Sequence, residues 1–355
     1  MSKKNPAILI AGYEIGGQMQ LLAETMRKRW YNATSVAFNN DFRGYQNDIR
    51  LNPRNCVSRL FFFIWALIHY DIFHFFWGIS LLSFWRFHLL DLPILKLFGK
   101  KIIVHFRGLD VVDIKYFDWL RETARGNKTA PPDISRVDQR KKILKWCKYS
   151  DAVLVSEPDL HFVSPTSILS PQVIDMSYWT PISEPESAKD GIIRIVHAPS
   201  SRRKKGTDFI EDAINNLNRR GYKVELILAE KLPHDKIKEL YEKSDFGIDQ
   251  VLYGWHGKVS VELMALSKPV VCYINPEYLK YRPDLPIVNS NKETLERVLE
   301  QLINNPSLRK TIGEKSHEYV LKYHDVEKVV DQLFEIYGLM ERTKRKDFIE
   351  DAKVW

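Results

Sequence analysis

The sequence holds only three cysteines, Cys56, Cys147 and Cys272, among 355 residues. Their odd number and wide spacing exclude a disulfide framework and a cysteine-built zinc cage, and fit a reducing compartment. No Asp-x-Asp occurs anywhere, so a dedicated diphosphate-bound cation site of that type is not expected. The spaced Gly-x-Gly-x-x-Gly fingerprint is also missing, which disfavours a dinucleotide site. No repeat of solenoid period appears. The apolar run near the N-terminus, AILIAG, is shorter than the ~7–15 residues of a secretory h-region. It reads as a first β-strand.

What is present is bulk and an uneven charge. With 355 residues, 45% of them hydrophobic, the chain has material for two domains. Residues 1–150 carry 24 Lys and Arg against 12 Asp and Glu, a net of +12, whereas residues 151–355 carry 29 against 33, a net of −4. A basic N-terminal half suits polyanions, anionic lipid headgroups or an anionic substrate. One stretch within it, LFFFIWALIHYDIFHFFWGISLLSFW (60–85), has Asp71 as its only formal charge. A spanning helix needs ~20 apolar residues, but YDIFHFFWG reads as a strand. The expectation is a buried strand flanked by apolar helices, with Trp65, Trp77, Trp85, Arg59 and Arg86 suited to an interface if exposed.

Strands alternate with helices in both halves. AILIAG, ATSVAF, YDIFHFFW, KIIVHFRG and DAVLVSE are the strands of the first, and IIRIVHA, KVELILA, FGIDQV and PVVCYI those of the second. This predicts an α/β chain of two doubly wound, Rossmann-like domains with mostly parallel sheets, facing each other across a cleft at the carboxyl ends of the strands. The expected boundaries are residues 1–178, a Pro- and acid-rich linker at 179–191, residues 192–324, and a helical segment 325–355. Residues 110–140 read as a long surface loop.

Ligands of such domains bind at the carboxyl ends of the strands. In the first domain that end carries Gly16 and Gly17, ahead of a helix whose amides favour anions. His105 and Asp110 follow the strand KIIVHFRG. In the second domain Arg202, Arg203, Lys204 and Lys205 stand between a strand and a helix, where Arg offers a bidentate fork and Lys a point charge to phosphate. Glu262 is a lone carboxylate in GWHGKVSVELMALSKP, beyond Gly257, Lys258, Val259 and Ser260. Read alone, it fits a solvated residue on the polar helix face, opposite an apolar stripe of Val259, Leu263 and Leu266.

Together HAPSSRRKKGTDFI, ELILAEKLPHDKIKELYEKSDFGIDQ and GWHGKVSVELMALSKPVVCYI resemble the nucleotide-binding domain of GT-B glycosyltransferases of the group 1 type. GYEIGGQMQ, FHFFWG and KIIVHFRGLDV resemble the N-terminal domain of the same enzymes. The resemblance runs from about residue 7 to residue 330. It implies glycosyl transfer from a nucleotide diphosphate sugar to a hydroxyl of a glycan or lipid-linked acceptor, with retention and without a metal or other cofactor. It gives Arg202, Lys205, Gly16, Gly17 and the amides of Gly257–Ser260 to the donor phosphates, Glu262 to the ribose, and His105 to the donor sugar. Arg202, Lys205 and His105 are then the catalytic set, and the final helix crosses back to the first domain.

The chain departs from the family at the first of its two glutamates: eight residues before Glu262 stands Gly254. Asp249, Trp255 and His256 are the candidates to replace it at the sugar, and Asp110 can orient sugar or acceptor. The charge and the resemblance place the protein in the cytoplasm, peripheral at the inner face of the cytoplasmic membrane, with an anionic membrane surface as partner and no nucleic acid. Rival readings are a nucleotide-sugar epimerase or hydrolase of the same fold, and a non-catalytic basic module. The last leaves Glu262 unexplained, since an acid repels phosphates.

Overall fold

The computed structural model describes residues 5–39, 45–83, 89–108, 110–111, 122–123, 125–126, 137–181 and 190–339. Trp85, Arg86, most of the expected 110–140 loop, residues 182–189 of the expected linker and the end of the 325–355 segment lie outside the described residues. The chain divides into two compact units: residues 1–117, 132–173 and 326–355 form the first, and 118–131 with 174–325 the second. The passage from the 132–173 segment of the first unit into the 174–325 segment of the second falls at Val173 and Ile174, ahead of the 179–191 stretch. The reason is packing, because Ile174 and Trp179 are buried in the second unit's core.

In the first unit β1 (Ile8–Gly12), α1 (Gln18–Lys28), β2 (Ala33–Ala37), β3 (Ile49–Arg50), α2 (Cys56–His69), β4 (Ile72–Phe76), α3 (Asp91–Leu97), β5 (Lys101–Phe106), α4 (Val137–Tyr149), β6 (Ala152–Val155) and β7 (Ile168–Leu169) follow in order. The strands form a seven-stranded sheet among the described residues, ordered β3-β2-β1-β4-β5-β6-β7, and every pair is parallel. Helices cover both faces, so β1, β4 and nearly all of β5 are buried without alternation. On one face α2, α3 and α4 bury Phe63, Ala66, Leu92, Leu95 and Trp146 against Phe73, Phe75, Ile102 and Val104. On the other α1 buries Met19, Leu22, Ala23 and Met26 against Ile8, Ile10, Ile72 and Ile103.

The 60–85 stretch thus splits into α2 and the buried strand β4. Asn55 starts α2 by accepting the Ser58 N–H at 3.0 Å. Arg59 is buried and points inward, donating to the Ser80 carbonyl at 2.7 Å over the Phe38 ring. That corrects its expected place as an interfacial cation. No described helix is long and apolar enough to cross a membrane.

The second unit repeats the scheme with β8 (Ile193–His197), α5 (Arg202–Lys205), α6 (Thr207–Arg219), β9 (Val224–Leu228), α7 (His234–Lys243), β10 (Phe246–Gly254), α8 (Lys258–Ala265), β11 (Val270–Ile274), β12 (Val288–Asn289), α9 (Leu295–Asn304) and α10 (Pro306–Tyr323). Its described strands form a five-stranded parallel sheet ordered β12-β11-β10-β8-β9.

The last described helix, α11 (Val326–Ile336), belongs to the first unit. Val326, Val329, Val330, Leu333 and Phe334 complete the core on the α1 side of its sheet. Arg29 of α1 makes ion pairs with Glu327 and Asp331. The two ends of the 174–325 segment lie side by side, since the Ile174 N–H donates to the His324 carbonyl at 2.9 Å.

Candidate functional site

In the second unit the site begins where β8 ends. His197 donates from Nδ1 to the Ile248 carbonyl and accepts from the Thr207 hydroxyl at Nε2, both at 2.8 Å. Burial above all, with Lys205 nearby, pushes its pKa down to about 4, so the ring is neutral. Gly206, with φ +78°, separates the short helix α5 from α6, and a Cβ there would fall 2.6 Å from Val251 Cγ2. Only glycine allows this turn.

The turn directs Lys205 onto β10, where its Nζ meets Asp249 Oδ1 at 2.6 Å. Asp249 Oδ2 accepts the Gly257 N–H at 2.6 Å and the Ser260 hydroxyl at 2.7 Å. Burial raises the Asp249 pKa, but Lys205 and these donors outweigh it and hold it at about 2. Both oxygens are therefore engaged within the protein. This corrects the expectation that Asp249 meets sugar or acceptor: it ties Lys205 to the start of α8. A side chain at Gly257 would stand 3.3 Å from Asp249 Oδ2.

Glu262 lies in the second turn of α8 and is buried, 4% exposed. The reading of it as a solvated residue fails, because α8 is enclosed along Ser260–Ala265 rather than on one stripe. Its Oε1 accepts from His234 Nε2 at 3.0 Å and lies 3.4 Å from Lys258 Nζ. Burial alone would raise its pKa; Lys258 and His234 overcome that and keep it below the usual range. The Tyr178 ring stacks on His234 at 5.9 Å, and Trp179 meets His234 edge-on at 5.3 Å.

Two expected donor contacts are placed differently. Arg202 is half exposed and forms ion pairs with Glu230 at 2.8 Å and Glu211 at 3.0 Å. A guanidinium held by two carboxylates has little charge to offer a phosphate. Among the amides at Gly257–Ser260, that of Gly257 serves Asp249 and that of Ser260 serves the Gly257 carbonyl. Two of the four amides of the expected cradle are thus engaged within the protein. His256 is buried between Trp255 and His324, and its Nδ1 has no hydrogen-bond partner. Burial pushes its pKa down to about 4.

The first unit holds the other candidates. Gly16 and Gly17, with φ +75° and +73°, turn the chain into α1. The amides that follow are occupied: Glu14 accepts the N–H groups of Gln18, Met19 and Gln20 at 2.8, 3.1 and 3.3 Å. A carboxylate of the protein thus takes the place that an anion would seek at this helix start. The expected donor contact at Gly16 and Gly17 is corrected accordingly.

His105 is buried near the end of β5 and contacts the Ser170 carbonyl through Nε2 at 3.0 Å. A carbonyl only accepts, so Nε2 carries the proton. Nδ1 is then a bare acceptor, and it has no partner. Burial and the nearby Arg107 hold the pKa well below the usual histidine value. The ring lies parallel to that of His74, 5.6 Å away. Asp110 accepts the backbone N–H groups of Arg107 and Gly108 at 3.1 and 2.9 Å, so it braces the loop after β5. Burial pushes its pKa up to about 6.

Sequence reasoning missed Glu14 and His234. Glu14 had a signal, an acid four residues ahead of the first residue of an amphipathic helix. His234 had none, since its partner Glu262 lies 28 residues away.

No family model matches the chain, and no curated protein does. Solved structures do. Sucrose-phosphate synthase from Thermosynechococcus elongatus superposes with a TM-score of 0.63 at 14% identity, covering 93% of this chain and 98% of that one. The catalytic domain of starch synthase IV from Arabidopsis thaliana, bound to ADP and acarbose, gives 0.59 at 12% identity over 94% and 99%. The lipopolysaccharide outer core galactosyltransferase WaaB gives 0.55 at 12% identity over 94% and 100%. The chain therefore has the GT-B fold, two Rossmann-like domains in one chain.

Proposed function

We propose that the protein is a glycosyltransferase. It moves a sugar from a nucleotide diphosphate sugar to a hydroxyl of a glycan or lipid-linked acceptor, with retention and without a bound metal, in the assembly of a surface polysaccharide or glycolipid. It works in the cytoplasm, at the inner face of the cytoplasmic membrane. The observation that carries the reading is Glu262, a buried carboxylate held ionised in α8 beside Lys258. Its position suits a vicinal diol, with the cation Lys205 proposed to meet the adjoining phosphates from its place beside Asp249. The starch synthase neighbour is bound to ADP, which supports a nucleotide diphosphate here.

In the proposed reaction the bond from the anomeric carbon to the diphosphate oxygen breaks. A bond from that carbon to the acceptor oxygen forms on the same face. The acceptor's proton passes to the leaving diphosphate, so no protein nucleophile is used. Negative charge grows on the phosphates, where Lys205 stabilises it. In the first unit, His105 Nδ1 is the acceptor proposed for a sugar hydroxyl.

Binding of UDP, GDP, ADP and CMP to the wild type, Glu262→Gln, Lys205→Ala and Arg202→Ala tests the clamp. One diphosphate binds preferentially, and Glu262→Gln and Lys205→Ala each weaken it by about tenfold or more, the size of a charge-assisted hydrogen bond. Arg202→Ala, already paired to carboxylates, changes it less. Absence of binding by every nucleotide overturns the reading. Product anomer by NMR, with and without EDTA, tests retention and metal independence.

A further inference from the structure

Among the described residues, the outer face of α2 is apolar and exposed. Val57, Leu60, Phe61, Ile64, Trp65 and Ile68 are 42–74% exposed. Their three- and four-residue spacing puts them on one stripe, whereas Phe63 and Ala66 face the core. Scattered exposed apolar residues are ordinary; six on one helix face are not. The stripe continues onto α3, where Leu97 and Phe98 are 83% and 60% exposed. The two helices end at one corner of the sheet, because the Lys101 N–H donates to the Asp71 carbonyl at 3.0 Å.

The neighbouring helix on this sheet face, α4, is basic. It carries Arg140, Lys141, Lys142, Lys145 and Lys148 against Asp138 alone. Its exposed Leu144 stands between the exposed Lys141 and Lys148, three and four residues away. α2 itself contains no Asp, Glu or Lys. Two acids near by, Asp71 and Asp151, face Lys100 at 3.9 Å and Lys96 at 2.7 Å. An apolar stripe beside cations is the pattern of a surface that lies in the headgroup layer of an anionic bilayer.

We propose that the outer faces of α2, α3 and α4 dock on an anionic lipid bilayer. The helix lies in the interface and does not cross it: its 14 residues span roughly 21 Å at the rise of an α-helix, against a hydrocarbon core of about 30 Å. A second copy fits the stripe less well, since a two-fold pairing brings two basic faces together. The inference locates the membrane contact of the transferase reading but does not need catalysis.

Flotation with vesicles of phosphatidylcholine, and of phosphatidylcholine with one-third phosphatidylglycerol, tests it alongside nucleotide affinity on the same preparations. The wild type floats with the anionic vesicles and not with the neutral ones. Phe61→Ser with Ile68→Ser, and separately Lys141→Gln with Lys148→Gln, each reduce partitioning by on the order of tenfold or more. Both variants keep the circular dichroism and nucleotide affinity of the wild type. Equal partitioning of wild type and both variants, or no flotation of the wild type, overturns the proposal. So does a wild-type dimer in sedimentation that Phe61→Ser converts to monomer, which assigns the stripe to a second copy. Loss of nucleotide binding with flotation intact defeats the transferase reading alone.

Discussion

Asp249 shows how one buried carboxylate can organise its surroundings. It joins Lys205, Gly257 and Ser260, residues from α5 and from the start of α8. Its pKa in the fold, about 2, lies below the ordinary 3.8, so it adds stability above the unfolded value. That stability is lost as pH falls through the folded one. The shift corresponds to about 2 kcal/mol. Asp249→Asn should therefore be less stable than wild type by about 2 kcal/mol at pH 6, with the gap closing toward pH 2, as read from urea midpoints. A gap of the same size at both pH values would show that the pair is not the cause. None of this was legible beforehand. Lys205 and Asp249 were both noticed, but residues 44 apart reveal no contact in a linear reading. Glu262 was singled out as an acid among apolar residues, and its burial explains why it looked out of place.

At the level of elements, the start of α1 is filled by the protein itself, for Glu14 takes three of its leading amides. Glu14→Ala should cost about 1–2 kcal/mol, the size of a lost N-terminal cap. Thermal unfolding measures it, and an unchanged Tm would mean that water replaces the carboxylate freely. Gly16 and Gly17 looked like an anion loop because paired glycines before a helix serve both purposes. The longer strands were legible from their apolar runs, and so was the parallel α/β class. The two-residue strands β3, β7 and β12 were not. A pair of residues has no period to read, and tertiary pairing alone makes such a strand. The exposed stripe of α2 escaped for a related reason: the helix is apolar on both sides, so periodicity could not say which side faced solvent.

For the molecule as a whole, the defining feature is that the first unit takes residues from both sides of the second. α11 closes its core with Val326, Val329, Val330, Leu333 and Phe334. Its next turn supplies Tyr337, whose hydroxyl meets His74 Nδ1 at 2.6 Å inside that core. Leu333→Ala should lower stability by about 2–5 kcal/mol, the range for truncating a buried leucine. The loss should appear in the first unit's amides by hydrogen exchange while the second unit's stay protected. Equal loss of protection in both units would contradict the division. The arrangement also has a consequence in time. Residues 174–325, the larger segment of the second unit, must all be made before α11 emerges. At ribosomal rates that is roughly 8–30 s. Throughout that interval the core on the α1 side of the first unit's sheet lacks Val326, Val329, Val330, Leu333 and Phe334, and the surface they cover is exposed. A translational pause ahead of Val326 would prolong the exposure, and the newborn chain is then a natural client for chaperones until its last described helix arrives.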